Sequence, residues 1–162
     1  MTNLPGQRHW RSGLRVVVVW FSIAPAQAHW EYAFWGMSEA QLVAASSGAA
    51  RPLPEAQHRP VPDARMTYRV EGRYIERDLT LRLAFAFDNV TGGLVCLSYT
   101  TETPEQALAL REWLIQRFGR PARAVRDPAT GEQNFTWRAP DNIDLQIVPR
   151  RVAVTLHCAR GT

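Results

Sequence analysis

The chain has 162 residues, 46% of them hydrophobic and 21% charged, with two cysteines and a formal net charge of +4. Sixteen aromatic residues and abundant Val, Leu and Ile exclude disorder along its length, and its size suits one domain rather than two independent cores. Collagen-like, coiled-coil and multi-disulfide compositions are excluded too, and because all 19 positive charges are arginine, the basic balance reflects coding bias as readily as selection for phosphate contacts.

The first segment reads as an address. Arg8, Arg11 and Arg15 precede an apolar run from Val16 to Ala24, and Ala26-Gln27-Ala28 follows it. A basic start, a short apolar run and an A-x-A site are the parts of a secretory signal peptide, which predicts cleavage between Ala28 and His29. The run is about half the length that crosses a bilayer. With Cys96 and Cys158 the only thiols, no cysteine follows the run to take a lipid anchor, and no Arg-Arg pair directs it to the twin-arginine route. Residues 1–28 hold three of the arginines and no acid, so the remaining 134 residues carry 16 Arg against 15 Asp and Glu. The predicted mature domain is nearly neutral, which counts against nucleic acid as its partner.

Residues 29–162 read as a single α+β domain. Ser38 followed by Gln41 is a capping box, with Met37 and Leu42 at the hydrophobic-staple positions and Gly48 where a left-handed cap would end a short helix. Residues 51–63 hold four prolines (Pro52, Pro54, Pro60 and Pro62) and read as an extended surface loop. Strand periodicity starts at Met66 and is strongest where Leu79, Leu81, Leu83, Phe85 and Phe87 alternate with Thr80, Arg82, Ala84 and Ala86. Asp88 to Gly93 supplies hairpin chemistry, and Leu94 to Thr100 returns. Thr103-Pro104-Glu105-Gln106 opens a second helix with Ala107, Leu110, Leu114 and Phe118 on one face, ended by Gly119 and Pro121. Three further strands are predicted over Asn134–Arg138, Ile143–Val148 and Val152–Cys158. The expected order is αβββαβββ, with both helices on one face of an antiparallel sheet. Each half opens with a capped helix ending in Gly and an Arg-Pro pair, the outline of a duplication or of two short helices alike by chance.

Candidate chemistry is sparse. Cys96 and Cys158 either pair, as an oxidising compartment favours, or remain two buried thiols. Alternation puts Cys158 on the side of Val152, Val154 and Leu156, which reads as the core side. His157 and Cys158 are strand neighbours that point to opposite faces, so they form no nucleophile–base pair. Two cysteines so far apart and three remaining histidines do not make a zinc site. Glu76 and Asp78, read as sharing a strand face, and Asp141 with Asp144 near a turn are carboxylate pairs whose ordinary state is solvated beside Arg77 or Arg138. Hydrolase, phosphate-loop and metalloprotease motifs are absent. If the helices cover the face of Leu79, Leu81, Leu83, Val154 and Leu156, the opposite face presents Thr80, Arg82, Asn134 or Thr136, Asp144, Gln146, Thr155 and His157. Arg82, Asp144, Gln146, Thr155 and His157 are the candidate binding residues, with no catalytic residue, metal or cofactor assigned.

The Trp35-Gly36-Met37-Ser38 element and the Phe118-Gly119-Arg120-Pro121 helix end resemble those of a group of small uncharacterised proteobacterial exported (periplasmic) proteins. The helix-plus-antiparallel-sheet outline is similar to the β-lactamase inhibitor protein and to small outer-membrane assembly lipoproteins, which bind protein partners with sheets or loops. The missing lipid-anchor cysteine departs from the latter, and the resemblance implies no catalytic residue.

The expected protein is periplasmic or secreted and has no stable membrane anchor after cleavage. It acts as a non-catalytic, inhibitor-like module on a protein or small ligand, without nucleic acid. One alternative is a small exported enzyme using Glu76, Asp78 or His157 on an open sheet face. The other is a cytoplasmic arginine-rich nucleic-acid binder, if residues 1–28 are not a signal peptide.

Overall fold

The structure is a computed structural model that describes residues 30–161. The predicted leader and the Ala28–His29 junction lie outside the described residues. Helix α1 (Glu39–Ala45) starts as its local chemistry requires: the Ser38 hydroxyl accepts from the Gln41 amide at 3.3 Å, and the Gln41 side chain accepts from the Ser38 amide at 2.9 Å. Leu42 is fully buried and Met37 packs against the same core. Ser47 and Gly48, with φ of +51° and +90°, turn the chain away from the helix. At the other end of the capping element, Gly36 and Gly93 meet so closely that a Cβ on Gly93 would lie 3.1 Å from the Gly36 Cα. The Gly36 amide bonds to the Leu94 carbonyl there, which joins the Trp-Gly-Met-Ser element to the sheet.

Five strands follow: β1 (Ala50–Pro52), β2 (Arg59–Val61), β3 (Met66–Glu76), β4 (Leu79–Asp88) and β5 (Leu94–Thr101). A single 3-10 turn over Glu55–Gln57 separates β1 from β2. Helix α2 (Gln106–Phe118) leads to β6 (Arg123–Arg126), β7 (Gln133–Trp137), β8 (Asn142–Ile147) and β9 (Val154–Cys158). The expected αβββαβββ order is therefore short by three small strands. Two of them, β1 and β2, lie within or at the start of the proline-rich stretch read as a loop, and both pair along the outer edge of β3. An edge position tolerates a proline without N–H. Strand β6 is exposed at all four residues, so it carries no burial period to read.

Helix α2 also begins later than its capping motif suggests. Thr103 to Glu105 form a preceding turn, and the Gln106 side chain reaches back to the Glu102 and Thr103 amides at 3.1 and 3.4 Å.

All strands join one antiparallel sheet in the order β1-β3-β4-β5-β9-β8-β7-β6, with β2 beside β1 on β3. Each half of the chain is thus a helix followed by an antiparallel run of strands. The two halves join through their last strands, β5 and β9, at the middle of the sheet.

Both helices cover one face. Leu42 of α1 and Leu110 and Leu114 of α2 are fully buried in one cluster with Leu81, Phe85 and Leu97. Burial of each such side chain contributes roughly 1.5–3 kcal/mol before entropy is counted. Trp30, ahead of α1, plugs the same core, its ring 4.6 Å from Tyr99 and 5.2 Å from Trp113.

The β4–β5 hairpin forms as predicted. The Asp88 carboxylate accepts from the Val90 and Thr91 amides at 2.9 and 2.7 Å. Those two amides, Thr91 first, hold its carboxyl below the usual range. A group whose folded value is lowered contributes stability above the unfolded carboxylate value and loses it as pH falls through the folded one. The stability difference between the parent and Asp88→Ala is therefore expected to be constant from neutral pH down to about 5 and to vanish at more acid pH, read by urea unfolding across that range.

Candidate functional site: the helix-free face of the sheet

With both helices on one side, the other face of the sheet is covered by no described element. Period-two alternation and the register place its side chains. Arg73, Arg82 and Thr100 line up across β3, β4 and β5. Glu71, Ala84, Ser98, Leu156, Asp144 and Thr136 form the next row, from β3 to β7. Four of the seven exposed large apolar side chains among the described residues, Ile75, Val125, Val154 and Leu156, belong to this face.

The candidates divide between the two faces. Arg82, Asp144 and Gln146 are exposed on the helix-free face, as expected. The Asp144 carboxylate accepts from the Thr136 hydroxyl at 2.7 Å and from Arg138 at 3.2 Å, and the Gln146 amide donates to Glu132 at 2.8 Å. Thr155 and His157 are not on this face: both are fully buried on the helix side. Val154 and Leu156, expected in the core, are instead exposed at 40% and 37%. Strand β9 is therefore turned over relative to expectation. Alternation correctly groups 154, 156 and 158 against 155 and 157, but it does not say which group faces the helices. The register of β5 does. Leu97 and Tyr99 enter the core, which sends Cys96 to the other face, and its cross-strand partner is Cys158.

The two cysteines form a disulfide. Cys158 accordingly lies on the helix-free face, half-buried beside Met66, Ala86 and Cys96, rather than in the main core.

His157 has a partner that the sequence did not suggest. Its Nε2 lies 2.9 Å from Asp141 Oδ2, and the Trp35 indole donates to the same oxygen at 3.1 Å. Asp141, read as a solvated acid beside Asp144, is 4% exposed. Rings of Trp35 and Phe118 stand 5.2 and 5.4 Å from the imidazole, edge-on. Because the carboxylate only accepts, Nε2 is the donor, and Nδ1 is left without a partner among the described residues. This is a buried structural pair on the helix side of the sheet.

The other acid pair is also separated. Strand β3 ends at Glu76, and Arg77 and Asp78 form the turn into β4, so Glu76 and Asp78 do not share a strand face. Glu76 accepts from the Tyr74 hydroxyl at 2.6 Å and the Trp113 indole at 2.8 Å, and these bonds hold its carboxyl below the usual range. A general acid needs the opposite shift.

Two concavities of equal volume open on the helix-free face, one lined by Arg138, Asn142, Asp144, Leu156 and Cys158 and a second that lies between β2, β3, β4 and β5. The second encloses about 380 Å³ and is lined by Arg59, Tyr68, Glu71, Arg82, Ser98 and Thr100 around Ala84. Small side chains make it: Ala84 and Ala86 on β4 face Ser98 and Cys96 on β5, while taller groups stand around them. Arg59 arrives from the proline-rich segment, pairs in register with Tyr68 and lays its guanidinium 5.4 Å from the centre of that ring. Burial raises the Tyr68 phenol above its usual value, against the opposing pull of Arg59 and of a hydrogen bond with Ser98.

Arg59 was not among the candidates, because a lone arginine among prolines has no periodic signal. None of the known protein families, characterised proteins or solved structures compared with the chain matches it.

Proposed function

We propose that this protein is an exported, non-catalytic binding module of the periplasm or secreted space that docks a protein partner on the helix-free face of its sheet. The observation that carries the reading is the placement of Val154, Leu156, Ile75 and Val125 on that uncovered face, interleaved with Arg82, Asp144 and Gln146. A mixed apolar and polar surface on a rigid sheet is the usual makeup of a protein-binding patch.

Export is supported by the signal-peptide pattern of residues 1–28 and by a disulfide that suits an oxidising compartment. No helix among the described residues is long and apolar enough to cross a membrane. The charge balance favours a protein over nucleic acid: among the described residues six arginines are matched with carboxylates, as in Arg51–Glu71 and Arg73–Glu102.

The test places a photo-cross-linking residue at Leu156 or, as a control on the outward side of α2, at Leu108, which is 56% exposed. The secreted protein is expected to begin at His29. It is expected to give one adduct of defined mass from position 156 only, suppressed by excess unlabelled protein. A chain that retains Met1 in the exported fraction would overturn export. Equal adducts from both positions, or none, would overturn the docking face.

A further inference from the structure

Arg82 breaks a rule of sheet pairing. It stands directly across from Arg73 on β3, and like charges at facing positions are unfavourable. Arg73 is neutralised by Glu102 at 2.9 Å, whereas Arg82 makes no hydrogen bond or ion pair with a described residue. Arg59, on the opposite rim of the same concavity, has the Tyr68 ring and no carboxylate as partner among the described residues. The one acid in the lining, Glu71, is engaged by Arg51 at the sheet edge, with contacts of 2.9 Å from Nε and 2.5 Å from Nη2. Two guanidiniums without acidic partners therefore face one depression, with the Thr100 hydroxyl beside Arg82 and the Ser98 hydroxyl on its floor.

From this geometry we propose that the concavity between Arg59 and Arg82 is the recognition pocket for a carboxylate side chain, Asp or Glu, of the protein partner. The inference rests on the docking face proposed above and names the chemistry that face selects. A guanidinium offers paired N–H donors that match the two oxygens of a carboxylate, and Arg59 is held in place by the ring beneath it and by the prolines that stiffen its segment. A carboxylate side chain is the anion that a protein partner's own surface offers to such a pair of donors, and Glu71, held by Arg51, leaves both guanidiniums open to it. The depression persists because Ala84 and Ser98 are small, and a larger side chain at position 84 would fill it.

Two measurements test the pocket. In the first, the folded, oxidised protein is titrated with a capped Gly-Glu-Gly tripeptide, with the capped Gly-Gln-Gly tripeptide and with inorganic phosphate, observing arginine side-chain and backbone NMR signals. Saturable shifts at Arg59, Arg82, Ser98 and Thr100 are expected with the glutamate peptide only. Arg82→Gln is expected to weaken that binding about tenfold, the loss of one charge-assisted hydrogen bond. Ala84→Leu is expected to abolish it. Arg123→Gln, on the same face but on β6, is expected to leave it unchanged. Shifts of equal size with the glutamine peptide, stronger binding of phosphate, or an Arg82→Gln variant that binds normally would each overturn the proposal.

The second measurement repeats the Leu156 cross-link in the Arg82→Gln background, where the adduct yield is expected to fall by a similar factor. An undiminished yield would overturn the carboxylate pocket and leave the docking face standing. If Leu156 captures nothing, the docking face fails, and a glutamate-specific titration would still separate the pocket's chemistry from that failure.

Discussion

Removal of the Cys96–Cys158 bridge, by reductant or by the double change Cys96→Ala and Cys158→Ala, is expected to destabilise the domain by about 4 kcal/mol, from loop-closure entropy. The two cysteines are 62 positions apart, so the closed loop is long and the unfolded chain gains much freedom when it opens. The bridge also ties β5 to β9, the seam at which the two halves of the sheet meet. Urea unfolding should show the loss as a midpoint lowered by roughly 2 M, given the slope usual for a domain of this size. The double variant should be insensitive to reductant, whereas the parent should fall to the variant's midpoint when reductant is added. A change below about 1 kcal/mol would mean that the unfolded chain is already constrained in another way.

A comparable loss, about 3 kcal/mol, is expected for Asp141→Ala. The carboxylate takes hydrogen bonds from both His157 and Trp35, and its removal leaves a buried imidazole donor and a half-buried indole donor without an acceptor. His157→Phe tests the same contact from the other side. The site is already lined by Trp35, Tyr99 and Phe118, so the ring is accommodated, but the Asp141 carboxylate loses its imidazole partner. The two changes should be strongly coupled: once one partner is gone, removal of the other relieves an unpaired group. The double variant should therefore lose about as much as one single change and not the sum of the two. Additive losses in chemical unfolding would show that the two residues do not act as a pair. Because the pair is buried on the helix side, Asp141→Asn is expected to leave cross-linking from Leu156 unchanged while it lowers stability.

Several parts of the fold were legible because local chemistry decided them. Ser38 and Gln41 cap a helix through contacts within one turn, and Asp88 closes a hairpin with the two amides that follow it. In β4, five large apolar residues alternate with Thr, Arg and Ala, and only one of those sets can fill a core. Other parts depended on partners distant in the chain. In β9 both faces carry residues that a sheet interior accepts, so Val154 and Leu156 look inward on composition alone. They face outward because Cys158 must meet Cys96, and because Asp141 and Trp35 satisfy the His157 imidazole on the other side. Asp141 itself, an acid after a proline in a turn, has the local appearance of a solvated charge. Its partners lie 16 and 106 positions away.

The candidate site follows the same division. Arg82, Asp144 and Gln146 were readable as outward residues from the period of their strands. Arg59 was not, since its place at the pocket rim comes from β2 pairing with β3. Glu76 and Asp78 read as one carboxylate pair until the turn at Arg77 and Asp78 separated them.

The sequence by itself determined the composition class, the capped start of the first helix, the glycine that ends the second, the inward set of β4 and the near-neutral charge of residues 29–162, because each depends on neighbours in the chain or on counting. Only the tertiary structure decided which face of β9 is buried, that Cys96 and Cys158 are partners, that Asp141 serves His157, and that Arg59 and Arg82 face one depression. Each of these pairs residues brought together by the sheet, whose order joins the end of the first half to the end of the second, and alternation along one strand carries no information about what lies across it.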